Sequence, residues 1–195
     1  MADFKISQLT AAGSVSGTDE FEINQSGTSK KATHAQLVSG LAALASANSF
    51  TGTQSLAGTS STLAASLVNA AEPGTVSATA ATGTIAYDVT TQSVLYYTSN
   101  AAANWTVNFR ASSGTSLNTA MTTGQFITVA FLVTQGSTAY YNNAVQVDGN
   151  AVTPKWQGGT APSAGNASSI DVYTYSIVKT GAAAFTVFAS ITRFA

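Results

Sequence analysis

Residues 125–136, QFITVAFLVTQG, hold the stretch that decides the fold class. From Phe126 to Val133 every residue is apolar or Thr, and β-branched and aromatic types dominate. One alternating set is Ile127, Val129, Phe131 and Val133, and the other is Phe126, Thr128, Ala130 and Leu132. Side chains of a strand alternate between faces, so this pattern predicts a strand covered on both faces. A buried helix is the competing reading. The eight-residue run Phe126–Val133 is short for one, and the bracketing Gly124 and Gly136 suit a strand. The expectation is a central strand inside a β-sandwich.

The flanking sequence continues in the same sense from Thr75 to Ala195, the predicted C-terminal antiparallel β-sandwich (75–195). Thr84–Tyr87 and Ser93–Tyr97 flank Asp88-Val89-Thr90-Thr91 and predict a hairpin. Trp105, Val107 and Phe109 alternate with Thr106 and Asn108, a half-buried strand. Ser116–Thr123 predicts a short helix, with Leu117 and Met121 at i, i+4 and Gly124 as its stop. Asp148-Gly149-Asn150 joins Ala144–Val147 to Ala151–Thr153 in a strong hairpin pattern. A glycine-rich loop runs from Trp156 to Asn166, and Ile170–Val178 with Phe185–Phe194 predicts a terminal hairpin around Lys179-Thr180-Gly181. Strands at this spacing argue a sandwich.

Upstream the character changes. Residues 1–32 read as short strands, Phe4–Leu9 and Glu20–Gln25, with a turn at Ser26-Gly27-Thr28 and Lys30-Lys31-Ala32 leading out. They hold too few apolar side chains to fold alone and must dock on something. Residues 33–48 predict an amphipathic helix with Thr33 as N-cap and Gln36 three residues on. Leu37, Leu41 and Leu44 make its apolar stripe, which meets either other copies of itself or a neighbouring segment. Residues 49–74 are a Gly/Thr/Ala-rich low-complexity stretch, read either as linker or as shaft-like intertwined β structure. Glu72-Pro73-Gly74 closes it and marks a domain boundary.

Composition bounds the function classes. The chain has seven Lys and Arg and eight Asp and Glu in 195 residues, 8% charged against a usual share of about a quarter. A net charge of −1 gives no field for nucleic acid. So few charges with so much Ala, Ser, Thr and Gly suit surfaces buried against other subunits, or else a β protein with hydroxyl-rich surfaces. Cys is absent, which excludes disulfides, thiolate metal sites and Cys nucleophiles. No run approaches the roughly 20 apolar residues that span a bilayer, so no membrane insertion is expected. MADFKISQLTAAG has no apolar core of signal-peptide length, and the expectation is a chain without its own export signal.

Little catalytic chemistry is on offer. His34 is the one histidine, at the start of the predicted helix, and no His/Asp/Glu cluster has metal-ligand spacing. Asp88, Asp148 and Asp171 are the carboxylates after Glu72, and a glycosidase would need two of them converging roughly 5–10 Å apart. Asp88 and Asp148 read better as turn residues. The expectation is no enzyme, no cofactor and no metal. Aromatic residues beside loops, Tyr140, Tyr141 and Trp156, are the candidates for receptor contact, by stacking on a sugar or an apolar patch. The plainer alternative is that they close the ends of the sandwich.

Two regions carry a resemblance. Ile6–Gly13, Glu20–Gln25 and Thr28–Thr33, running into a helix, resemble the N-terminal segment of bacteriophage tail fibre and virion proteins. Thr84–Val89, Phe131–Tyr141, Lys155–Pro162 and the ending Ile191-Thr192-Arg193-Phe194-Ala195 look like structural proteins of tailed phages of marine bacteria and cyanobacteria. The resemblance implies a virion component, an intertwined homotrimer attached to other virion proteins through residues 1–32, with the C-terminal domain displayed outward. Host attachment, through a cell-surface glycan or protein, or fibre assembly would be its task. A capsid-attached head fibre or decoration protein and a polysaccharide-degrading tailspike are the alternatives.

Overall fold

A computed structural model describes residues 14, 16–37 and 70–195 of a mainly β chain, which divides into two compact units, Met1–Ser66 and Leu67–Ala195. The predicted strand Phe4–Leu9, the helix beyond Leu37 with Leu41 and Leu44, and the low-complexity residues 49–69 lie outside the described residues.

In the first unit β1 (Glu20–Gln25) and β2 (Thr28–Thr33) form an antiparallel hairpin. Ser26 and Gly27 connect them with φ of 56° and 78°, the two left-handed residues of a type I′ turn. Asn24 Oδ1 accepts from the Gly27 N–H at 3.0 Å, which offsets part of the strain at Ser26. By sequence Lys30–Ala32 is expected only to lead out of the turn, since TSKKAT has one apolar residue. Pairing with β1 makes it a strand, with Ala32 buried and Lys31 Nζ 2.6 Å from Glu20. One helical turn follows, α1 (His34–Leu37). Its start carries the predicted capping box: the Gln36 N–H donates to Thr33 Oγ1 at 3.2 Å, and the Thr33 N–H to Gln36 Oε1 at 2.8 Å.

Among its described residues the second unit holds ten strands, β3 (Gly74–Ala80), β4 (Gly83–Asp88), β5 (Val94–Ser99), β6 (Trp105–Arg110), β7 (Phe126–Thr134), β8 (Asn142–Val147), β9 (Asn150–Val152), β10 (Lys155–Trp156), β11 (Ile170–Gly181) and β12 (Ala184–Phe194). A six-stranded sheet has the order β10-β12-β11-β7-β5-β3, and a four-stranded sheet the order β4-β6-β8-β9. Their inner faces share one core, so the sandwich layering stands. The expectation of an antiparallel sandwich is corrected. From β3 to β8 the chain alternates between the layers, odd-numbered strands joining one sheet and even-numbered strands the other. A strand therefore meets its sheet neighbour only after a full circuit, running in the same direction. The pairs β3–β5, β5–β7, β4–β6 and β6–β8 are all parallel. Among the described residues of this unit, strands pair antiparallel only at β7–β11, β11–β12 and β8–β9.

The predicted hairpin of Thr84–Tyr87 with Ser93–Tyr97 fails for the same reason. β4 and β5 lie in different sheets, and Val89–Ser93 is the corner between layers, held by Val89 N–H to Arg110 O (3.0 Å) and Ser93 N–H to Pro73 O (2.9 Å). Alternating apolar residues on both sides of a short turn fit a corner as well as a hairpin. Tyr87 ties the layers together, its hydroxyl donating to Ser93 O at 2.7 Å and Ala130 O at 3.0 Å on the opposite sheet.

β7 sits inside the six-stranded sheet, as its sequence predicts, but it is covered on one face only. Val129, Phe131 and Val133 are buried between the sheets, whereas Phe126 on the other set is 57% exposed. Within this unit the four-stranded sheet supplies a single covering layer. Trp105 fills the middle of the core, edge-on to Phe131 and Tyr173 at 6.1 and 5.6 Å between ring centroids. The predicted helix over Ser116–Thr123 shrinks to one turn, α2 (Leu117–Ala120), capped by the Ser116 side chain, which accepts from the Thr119 N–H at 3.0 Å. Met121 ends it in extended conformation and drops into the core, so Gly124 (φ 91°) serves the turn into β7 instead.

Candidate functional site

The candidate site is a cleft of about 350 Å³ between the start of β8 and the loop that follows β9. Tyr141, Asn143, Pro154, Trp156, Pro162 and Ser163 are among its walls. Its sequence origin is simple. Pro154 and the glycines of Gln157-Gly158-Gly159 prevent β10 from continuing beyond two residues, and Gly158 and Gly159 both take positive φ. The chain is turned out over β8 and returns past Ala161-Pro162-Ser163.

Buried amides position the aromatic wall. Gln135, 3% exposed, donates from Nε2 to Tyr140 O (2.6 Å) and to Asp171 Oδ2 (3.1 Å), and its Oε1 accepts from the Tyr140 N–H (3.0 Å). Tyr141 is held by its own N–H to Asn104 Oδ1 at 3.0 Å. Beneath the cleft Asn142 donates from Nδ2 to Trp105 O and Ala144 O and accepts the Tyr175 hydroxyl on Oδ1 at 3.1 Å. The opposite crossing is equally tight. A Cβ on Gly165 would lie 2.1 Å from Tyr140 O, so only glycine lets the returning loop pass there. These contacts fix the cleft on the sandwich rather than on free loops, which favours a preformed binding surface.

Of the three aromatics singled out from the sequence, the structure brings two together. Tyr141 and Trp156 line the cleft. Tyr140 packs against the core beside them, and its backbone, not its ring, is what Gln135 grips. Trp156 does both jobs, since its ring lies edge-on to Tyr173 and Tyr175, each 6.4 Å away, while also lining the cleft. Leu37 is 49% exposed at the end of α1, and Leu41 and Leu44 are outside the described residues. Sequence reasoning missed Gln135, Asn142 and Pro162. A polar residue closing an apolar strand looks like punctuation, and only the fold shows that its amide is buried.

The carboxylates of the second unit have structural partners. Asp88 receives Arg110 Nε at 2.5 Å and Nη2 at 3.3 Å, and this pairing raises the Arg110 pKa. Asp148 accepts the Leu117 and Asn118 N–H groups at 2.6 and 2.9 Å and so caps α2 from the β8–β9 turn. Asp171 is fully buried, and desolvation raises its pKa against the lowering effect of the Asn166 N–H, Gln135 and the charge of Arg193. The tyrosine hydroxyls of Tyr173 and Tyr175 are pushed up by burial. Among the described residues no group of three His, Cys, Asp or Glu could hold a metal ion, and no helix is long and apolar enough to cross a membrane. The walls of the cleft carry no carboxylate, imidazole or amine. What it offers chemically is ring faces, proline edges, amides and hydroxyls.

Compared with family models, curated proteins and solved structures, the chain matches none of them. The class that the geometry itself defines is a two-layer mixed β-sandwich bearing an uncharged aromatic cleft.

Proposed function

We propose that the chain is a bacteriophage virion fibre protein, non-enzymatic and homotrimeric, that serves host-surface attachment or fibre assembly. The observation that carries the reading is the cleft, in which Tyr141 and Trp156 converge among amide and hydroxyl groups with no charged side chain in its lining. A neutral sugar unit suits such a surface, because its C–H face stacks on an aromatic ring while its hydroxyls bond to amides. The resemblance of Ile6–Gly13, Glu20–Gln25, Thr28–Thr33, Thr84–Val89, Phe131–Tyr141, Lys155–Pro162 and Ile191–Ala195 to phage virion proteins supports the virion assignment, and the shortage of charge supports an assembled state. In this reading residues 1–32 bind other virion proteins, and the second unit is displayed.

The test has two parts. Labelled antibody against the second unit should decorate the tail region of intact particles in electron micrographs; decoration of the head shell alone would replace this reading with a capsid fibre or decoration protein. Purified protein should bind host envelope glycan, with Tyr141→Ala and Trp156→Ala each weakening binding by at least about tenfold, the loss of ~1.4 kcal/mol expected for one stacked ring. Release of new reducing ends from that glycan would overturn the non-enzymatic assignment and favour a tailspike.

A further inference from the structure

Among the described residues of the second unit, the large apolar side chains left exposed all lie on one surface. Val76, Phe126, Phe188 and Phe194 are 72%, 57%, 47% and 57% exposed. Strand register places them together. Val76 stands opposite Tyr96, Tyr96 opposite Leu132, Leu132 opposite Val172, and Val172 opposite Thr192, two residues from Phe194. Phe188 stands opposite Ser176, and Ser176 opposite Thr128, two residues from Phe126. Paired residues share a face, and so do residues two apart, so the whole set projects from the side of the six-stranded sheet opposite Val129, Phe131 and Val133. Along β3, β5, β7, β11 and β12 this side carries no charged residue; Lys155 stands at its rim on β10.

We propose that this face is where the second unit joins a second copy of the same chain. The proposal rests on the homo-oligomer reading above and adds which surface joins the copies. Charge argues for a like partner. A surface whose five central strands carry no ionised group, with Lys155 only at the rim, meets its own copy with little like-charge repulsion and few ions to desolvate. The polar groups on it are partly provided for already, as Thr128 and Ser176 share a hydrogen bond of 3.0 Å. Size agrees. Nine residues of β7 and five strands, at about 3.4 Å per residue and about 4.8 Å per strand, span roughly 700 Å². A stable interface of standard size buries about 800 Å² on each partner.

The cysteine-free chain permits a direct test on the full-length protein. Ser176→Cys places a thiol on the face, and Thr106→Cys places one on the outer side of the four-stranded sheet as control. The expected result is a homo-oligomer by light scattering in which a short bismaleimide links Ser176→Cys copies, at least tenfold faster than Thr106→Cys copies. Phe126→Lys with Phe188→Lys should abolish that link while leaving the far-ultraviolet spectrum unchanged. An oligomer whose Ser176→Cys thiol is reactive yet unlinked overturns the proposal and leaves the homo-oligomer reading standing. A monomer overturns both, including one whose thiol is shielded, which would assign the face to the chain's own first unit. Linked pairs in a particle of two copies rather than three support the face and overturn the threefold reading.

Discussion

Asp171 shows what a single residue contributes that no pattern reveals. In the sequence it opens a strand, IDVYTYSIV, and looks like an edge residue; in the fold it is fully buried, one oxygen held by Gln135 and the Asn166 N–H, the other without a partner. Burial raises its pKa, so the folded state takes up a proton at a higher pH than the unfolded chain, whose value is about 3.9. Stability contributed by this group therefore rises as pH falls from neutral through the raised value toward 3.9, and is at its lowest above it. Asp171→Asn should remove that term. In urea titrations from pH 7 to pH 4, the wild type should gain stability relative to the variant as pH falls, and a constant difference would refute the assignment. Tyr87 offers a second test. Its hydroxyl joins the two sheets, and Tyr87→Phe should cost about 1 kcal/mol of unfolding free energy with no change in m-value.

At the scale of elements, α2 is the part least expected to be ordered. One helical turn is far below the length at which a helix is stable on its own. It is held at both ends by distant charges. Asp148 binds the Leu117 and Asn118 N–H groups, and Lys179 donates to the Asn118 and Met121 carbonyls at 2.5 and 2.8 Å. These are the groups that a helix end leaves without partners. Asp148→Ala and Lys179→Met should each destabilise by about 2 kcal/mol, since each strips charge-assisted bonds from partly buried backbone. Amide exchange should accelerate locally in residues 116–124 in both variants. Exchange that stays slow there would mean that Leu117 packing, not the clamp, orders the turn. The sequence shows Asp148 as a turn residue, and that is right as far as it goes. Its second role depends on the β8–β9 turn arriving beside Leu117, which lies thirty-one residues earlier.

For the whole molecule, protection should follow position in the sheets. β7 and β11 are flanked on both sides by other strands, and β3 and β10 lie at the edges of the six-stranded sheet. Native-state hydrogen exchange should be slowest in β7 and β11 and fastest in β3 and β10, spanning the range from global to local opening. Equal protection across all of them would show that another layer covers the edges. Edges matter here because a row of unpaired backbone groups invites further strands. β3 disturbs its own register between Ser77 and Ala80, a device that limits such pairing.

What the sequence determined by itself was the local pattern. Alternation in Phe126–Val133, in Trp105–Phe109 and in Ile170–Val178 identified strands, and Thr33 with Gln36 identified a helix start, because neighbours along the chain suffice for both. Tertiary structure decided the rest. Alternation says that a side of a strand is apolar, not which sheet the strand joins, so Tyr87 and Leu95 were legible as strand residues but not as members of opposite layers. Nor could it tell that Phe126, Phe188 and Phe194 would share an open face while Val129 and Phe131 were buried. The cleft was half legible. Tyr141 and Trp156 stand out in the sequence as rings beside loops, but their meeting depends on Gln135, Asn142 and Gly165, whose contacts join residues far apart in the chain. Such contacts exist only once the sheets have packed.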